Sequence, residues 1–388
     1  MSARLRLLLL GVASAVVACP LEVDDDDTPA NDDDAVDDDD AVDDDDAVDD
    51  DDVAGPWEPF KLLSLNLHCL KQDETPYPDV QSRLQAVVDL VVAEDVAVLA
   101  LQEVCKRDGG DDAEQILLDA LGAGWTSYWQ LAHVGWEGSP DEADEGLALM
   151  VRGGIGAPRE LEYFHQAGLR RIAVAGTLPA ELGGFRVASV HLDVADAPAR
   201  QAQARETVSR VPTRLGGFDV ILAGDFNAST ETPALDMVRA AGFLDTGPEL
   251  DGDRIDHVYA HRAAAVEGSD ARLVFTGDTE DPVSDHPGVL VTMSPIAVEV
   301  PTLTRLVAHV DVGLEHFVAA RGTLFAATQW DVGWSMQAMA DDRWELLLSE
   351  VGDGEAFTFK TLRDDTDWQT GDDVSGTGGE QTETTPSF

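Results

Sequence analysis

Between residues 57 and 300 the chain alternates short, dense apolar runs with stretches whose apolar residues recur every three or four positions. KLLSLNLH (61–68) and VAVLALQEV (96–104) are dense in Leu and Val without a turn signal, and predict strands. VQSRLQAVVDLVVAE (80–94) lies between them with helical spacing, so strand, helix and strand follow one another and imply a layered α/β domain. Further strands are predicted over GLALMVR (146–152), FRVASVHLDV (185–194), FDVILAGDFNA (218–228), RIDHVYAH (254–261) and DHPGVLVTM (285–293), and a further helix over ARQAQARETVSRV (199–211). Beyond residue 300 helical spacing disappears. TRLVAHVDVG, HFVAARGTL, DRWELLLSEV, AFTFKTLRD and TDWQTGDD read as short strands separated by turn residues, hence a small second domain that is all β.

The polar exceptions within these strands carry the chemical information. Asn66, Glu103, His191, Asp225, Asn227, Asp256, Asp285 and His286 each lie within or at the end of an otherwise apolar run. A polar group at such a position costs free energy unless it is paired or bound to something. One instance means little, but eight, strand after strand, imply strand ends converging on a common polar site. Asn227 lies two residues after Asp225, and strand periodicity would put both on one face.

Charge changes the picture at the N-terminus. The chain holds 25 Lys and Arg against 76 Asp and Glu, a net of −51. Residues 22–52 contain Glu22 and nineteen Asp with no base; setting these aside with Arg4 and Arg6 leaves 56 acids against 23 bases, a net of −33 over residues 53–388. Such a surface is not built to grip polyanions over a broad face. The DDDDAV repeats cannot collapse on themselves and are expected to form an extended, disordered tether over residues 19–55. A calcium-binding repeat is the alternative, but the Gly that a tight ligand loop needs is missing. Residues 1–18 have Arg4 and Arg6 followed by an apolar run too short for a membrane span, the pattern of a signal peptide. Val16-Val17-Ala18-Cys19 resembles a bacterial lipobox, which implies lipidation of Cys19 and an exported lipoprotein anchored to the outer membrane, on its periplasmic face or at the cell surface.

Residues 58–296 resemble the endonuclease/exonuclease/phosphatase superfamily of metal-dependent phosphoesterases. The resemblance rests on SLNLH with Asn66, LQEV with Glu103, EGLALMVR with Glu145, SVHLD with His191, GDFNA with Asp225 and Asn227, RIDHVY with Asp256, and SDHPGV with Asp285 and His286. It implies a four-layer α/β/β/α sandwich over residues 56–297 and hydrolysis of a phosphate ester by direct attack of water. A hard divalent ion, magnesium with manganese or calcium as alternatives, suits carboxylate and amide oxygen. By the resemblance Glu103 is the principal metal ligand, with Asn66 beside it and Asp285 at or near the metal. His286 is the general base, held in the correct tautomer by Asp256. Asp225 orients the attacking water or serves the leaving group, Asn227 donates to a phosphoryl oxygen, and His191 binds the phosphoryl group with Glu145 as the carboxylate that keeps it charged.

If Asn66 and Glu103 share a metal, Cys69 and Cys105 come near each other, so the resemblance also implies a Cys69–Cys105 disulfide in an oxidising compartment. His68, His133, His165, His257 and His261 lack a motif and are read as structural or surface residues. Arg170, Arg171 and Arg200 have the chemistry to reach a phosphate, but pairing with surface acids is the simpler expectation.

Residues 300–388 resemble starch-binding-type carbohydrate modules, small immunoglobulin-like sandwiches, through GTLFAATQWDVGWSM, RWELLLSEV, FTFKTLRDDTDWQTGDD and the final TPSF. That resemblance implies sugar stacking on exposed rings, with Trp330, Trp334 and Trp368 as candidates and Trp344 as core. A packing or tethering module is the alternative. For the whole chain the expected substrate is a phosphodiester, in nucleic acid first and a lipid headgroup second, with a small phosphomonoester third, acted on by a monomer. The reading of a different class is a surface glycan-binding protein carrying a spent enzyme, against which the intact set of Glu103, Asp225, Asn227, Asp285 and His286 argues.

Overall fold

The computed structural model describes residues 57–388 apart from 72–76, 108–109, 251, 278–279, 299–301, 314, 326–327 and 350. The expected signal peptide, Cys19 and the expected Asp-rich tether lie outside the described residues. No helix among the described residues is long and apolar enough to cross a membrane.

The first sheet is built from β1 (Phe60–Asn66), β2 (Val96–Lys106), β3 (Trp125–Gly135), β4 (Ala143–Arg152), β11 (Val266–Val274) and β12 (Gly288–Pro295), in the order β11-β12-β1-β2-β4-β3. The second is built from β5 (Gly156–Glu162), β6 (Ile172–Thr177), β7 (Arg186–His191), β8 (Val220–Asp225), β9 (Phe243–Asp245) and β10 (Asp256–His261), in the order β5-β6-β7-β8-β10-β9. Their inner faces meet through Leu62, Val98, Leu147, Val187, Ile221 and Val258. Helices α1 (Val80–Ala93) and α2 (Ala113–Leu121) cover the outer face of the first sheet, where Leu84, Val87 and Leu117 pack on Leu63, Leu65 and Leu99. Helices α3 (Ala197–Leu215) and α4 (Pro233–Ala240) cover the second, with Val208, Val211 and Leu235 on Val190 and Leu222. The central strands are therefore buried on both faces, which is why they read as continuous apolar runs.

The predicted strands and both predicted helices are present, with shifted ends. β7 stops at His191, β8 stops at Asp225, and β12 begins only at Gly288, leaving Asp285 and His286 in the turn before it. Helix α3 runs on to Leu215, with Asp196 capping its N-terminus through the Ala199 amide and Gly216 ending it at φ 81°.

The C-terminal residues form two sheets. One has the order β16 (Gln337–Ala340), β17 (Arg343–Leu348), β13 (Thr304–His309), β21 (Gln381–Thr384); the other has β15 (Trp334–Ser335), β14 (Val318–Gly322), β18 (Ala356–Arg363), β19 (Asp367–Trp368), with β20 (Val374–Thr377) also on β18. They pack on α3, whose Gln203, Glu206, Thr207, Ser209, Arg210 and Thr213 are all buried. The Arg210 guanidinium lies 3.8 Å from the Phe164 ring centre and donates to Gln337, the Thr213 hydroxyl accepts from Leu347 N, and Phe164 stacks on Phe317 at 4.8 Å. Gln203, Glu206 and Thr207 are held by Asp193, Phe164, His165 and Tyr163 of the larger domain, so it is Arg210 and Thr213 that join α3 to these sheets by hydrogen bonds.

Of the three tryptophans read as candidate sugar platforms, Trp334 is corrected. It is 5% exposed, stacks on Phe325, and its indole N–H donates to Thr328. Trp344 is core, as expected. Trp368 is 42% exposed and its ring lies 6.2 Å from that of the half-buried Trp330.

Candidate active site

The layer between the two sheets changes character along its length. Its apolar residues give way at one end to Ser64 and Asn66 on β1, Gln102 on β2, Ser189 and His191 on β7, Asp225 on β8 and Asp256 on β10, all buried. Each continues the inward-facing register of its strand, so the site is the polar end of the inter-sheet core. Hydrogen bonds cross the layer there: Gln102 Nε2 donates to Ser189 Oγ at 3.0 Å, and Asn66 Nδ2 to Asp225 Oδ2 at 3.1 Å.

Three backbone features aim side chains into this end. The β2–β4 register shifts between Leu101 and Val104, and Glu103 within that bulge has φ 48°. Gly224 has φ 149°, and a Cβ on it would collide with the Val190 carbonyl of β7, so only glycine fits before Asp225. Asn227 has φ 49° and lies beyond the strand. It reaches the site through a left-handed turn rather than by strand periodicity: its backbone N–H donates to Asp225 Oδ1 at 2.7 Å and its Nδ2 to Leu192 O at 2.9 Å, which leaves one amide hydrogen for another acceptor.

Asp256 Oδ2 accepts from His286 Nδ1 at 2.7 Å, and Asp225 Oδ2 stands 4.0 Å from the same nitrogen. Burial opposes charge on His286, but the hydrogen bond and charge of Asp256, with Asp225 and Asp285, push it up to about 10. Burial, and then repulsion from Asp256, lift Asp225 to about 7; burial and then Glu145 lift Glu103 to about 7. Asp285 is held below the usual carboxylate range, its burial being outweighed by the His68 imidazole 3.0 Å away.

Asn66 is held by hydrogen bonds on both sides of its amide. Its Oδ1 accepts from the His68 backbone N–H at 2.8 Å, which fixes the amide orientation, and its Nδ2 donates to Glu103 Oε1 at 3.0 Å as well as to Asp225. It therefore steadies two carboxylates, while its oxygen keeps a second lone pair. The pairing of His191 with Glu145 is corrected. Arg171, 4% exposed, places Nη1 3.0 Å from His191 Nδ1 and 3.9 Å from Glu145 Oε1. Burial and this guanidinium hold His191 well below its ordinary value, so the cation beside it is Arg171. Arg170, its neighbour, turns outward to Glu160 and Glu162. Arg200 donates to the carbonyls of Asp193 and Val194. His133, on the edge strand β3, lies 3.4 Å from Glu145.

Glu103, Glu145 and His191 have ligand atoms within 4.8 Å of one another, as do Asp225, Asp256 and His286. The donor set fits a hard divalent cation. Glu103 is lifted because it is buried among other acids, and a dication reverses that crowding. Glu103 and Asp285 are the carboxylates open to the mouth, with side chains 16% and 38% exposed. Cys69 and Cys105 are disulfide-bonded directly behind this wall, their Cα atoms 4.9 Å apart, and both lie close to Glu145.

Residues 63–286 match the family model described as Endonuclease/Exonuclease/phosphatase family. No curated protein matches the chain. Among solved structures, an endonuclease/exonuclease/phosphatase family protein from Leptotrichia buccalis is similar, with 19% identity and TM-score 0.48 over 61% of this chain and 99% of that one. D. rerio TDP2 complexed with single-strand DNA product has 17% identity and TM-score 0.46, again over 61% and 99%. Sphingomyelinase C from Streptomyces griseocarneus has 15% identity and TM-score 0.44 over 60% and 99%.

Proposed function

Because the chain belongs to the Endonuclease/Exonuclease/phosphatase family, and so is a metal-dependent hydrolase of phosphate esters, we propose that it cleaves phosphodiesters by water activated at His286. The observation that carries this reading is the His286–Asp256 pair, 2.7 Å apart, set beside Asp225 at the mouth of the inter-sheet site. Asp256 takes up Nδ1, and a dication at Glu103 and Asp285 would offset the carboxylates that push His286 up to about 10, so that Nε2 of the neutral ring could receive a proton from water. Arg171 brings a fixed positive charge next to His191, and with the remaining Asn227 amide hydrogen these groups face the phosphoryl oxygens, where charge builds during attack. Asp225, held by Asn66 and the Asn227 backbone, serves the water or the departing alkoxide. Glu103 and Asp285 would hold a divalent cation, magnesium in our reading, whose charge would offset the surrounding carboxylates and the substrate phosphate. The leader, Cys19 and the Asp-rich repeats support export and tethering of this enzyme to a membrane surface. The C-terminal sheets, packed on α3 through Arg210 and Thr213, serve first to cover that helix.

The test is hydrolysis of bis(p-nitrophenyl) phosphate by the protein in magnesium, with EDTA and His286→Ala as controls. Turnover abolished by EDTA and strongly reduced in the variant is expected. Turnover that survives both, or none from protein shown to be folded, would overturn the reading.

A further inference from the structure

The disulfide carries two cations to one lip of the site. Lys71 follows Cys69 by two residues and Arg107 follows Cys105 by two, and Arg107 Nη2 donates to Cys69 O at 2.9 Å. Most bases of the larger domain, such as Lys61, Lys106, Arg152 and Arg272, are paired with carboxylates. Lys71 and Arg107 have no carboxylate partner among the described residues, and both are half-buried. Half-buried Trp136 packs against the disulfide and Ala143, with Lys71 Nζ 5.0 Å from its ring centre and the His68 ring 6.0 Å away. His68 in turn touches Asp285 at 3.0 Å, so the lip joins the reaction centre directly.

We propose that Lys71, Arg107 and Trp136 form a subsite for a second, non-reacting phosphate and its adjoining base, which makes single-stranded nucleic acid the substrate class. This rests on the phosphodiesterase reading above. An isolated ester does not need cations outside the reaction centre that no carboxylate among the described residues pairs with, whereas a polynucleotide brings a flanking phosphate for each reacting one. On a chain of net charge −51 a polyanion needs local positive charge to dock. Trp136 offers ring surface to a base, which gives sequence-tolerant contact.

The experiment compares kcat/KM for a short oligothymidylate with that for bis(p-nitrophenyl) phosphate, in wild type, Lys71→Ala, Arg107→Gln and Lys71→Arg. The oligonucleotide-to-diester ratio is expected to fall about tenfold in each of the first two, as loss of one charged contact implies, and to be retained in Lys71→Arg. The slope of log kcat/KM for oligothymidylate against log salt should become shallower by about 0.7 for each cation removed. An unchanged ratio, or a parallel fall on both substrates, overturns the subsite. If wild type hydrolyses neither substrate, the phosphodiesterase reading fails by itself. Fluorescence anisotropy of labelled oligothymidylate in EDTA then decides the lip, with weaker binding by the Lys71→Ala, Arg107→Gln double variant expected and equal binding overturning it.

Discussion

His286 and Asp256 meet at 2.7 Å across a chain separation of 30 residues, one from the turn before β12 in the first sheet and the other from β10 in the second. The pair therefore exists only when the two sheets are face to face, and catalysis reports directly on how they are seated. His286→Ala should lower kcat on a diester substrate by roughly 10²–10⁴-fold. Asp256→Asn should give a smaller loss, because the imidazole remains but its tautomer is no longer enforced. Steady-state kinetics on folded variants checks both; an Asp256→Asn enzyme at full activity would remove the dyad from the mechanism.

Asn66 makes a separate prediction because it donates to Glu103 and Asp225 at once while His68 N–H holds its oxygen. Asn66→Ala releases both carboxylates. Affinity for magnesium, or for manganese as its spectroscopic substitute, should weaken by tenfold or more, as loss of an orienting partner typically does. Calorimetric titration reads this without relying on turnover. An unchanged affinity would show that Glu103 needs no such support.

The disulfide closes a loop between positions 36 residues apart, and both its sulfurs are buried. Chain entropy then gives about 4 kcal/mol of stability to the oxidised form. Urea unfolding of the Cys69→Ser, Cys105→Ser double variant should show a loss of that order at a similar m-value. A loss well under 1 kcal/mol would mean that the turn at His68–Leu70, with φ of 48°, 47° and 52°, is held by other contacts.

The strands that carry the site were legible because each central strand is largely apolar on both faces except toward the end that meets the site, so Asn66, His191 and Asp225 at strand ends and Asp256 at the start of β10 stood out as breaks in a run. The rest of the site was hidden for reasons that can be named. Strand β3, WTSYWQLAHVG, lies at the sheet edge and mixes aromatic with polar residues, so neither the strand nor His133 had a periodic signal. Arg170 and Arg171 are adjacent, and sequence alone does not say which one turns inward at the start of β6; the acids of β5 take Arg170 and leave Arg171 to His191. The roles of Asn66 and Asn227 depend on which neighbouring backbone groups reach their amides, and a strand pattern does not contain that. Likewise Trp334 and Trp368 sit in similar short segments, but only the first faces Phe325 and the core.

Trp368 is the exposed ring of the C-terminal sheets, with Trp330 at 6.2 Å and the Arg321 guanidinium 5.3 Å from its ring centre. If this pair stacks on sugar, wild-type protein should be retained by an insoluble glucan and Trp368→Ala should be released, with diester hydrolysis unaffected. No retention of wild type by any glucan would leave the sheets with the task of covering α3.

His261 sets a pH limit that is independent of the catalytic groups. It is 1% exposed at the end of β10, packed between Phe218 and Phe243, and Nε2 faces the carbonyl of Ala241 at 3.1 Å while Nδ1 accepts from Ala263 N. Both nitrogens are therefore satisfied by a neutral ring, and burial, with nearby Arg262, lowers the group to about 4. As pH falls below about 6.5 the unfolded chain takes up a proton that the folded chain refuses, so stability is lost from 6.5 downward until the folded ring titrates near 4. The difference amounts to about 3 kcal/mol for this one side chain. Glu103 and Asp225, lifted to about 7, work in the opposite sense, since the folded state holds their protons more tightly as pH falls from 7. The informative quantity is thus the difference between wild type and His261→Gln in urea unfolding from pH 7 to 4. The variant should lose less stability over that range than wild type, and parallel curves would show that His261 takes up its proton in the folded state as readily as in the unfolded one.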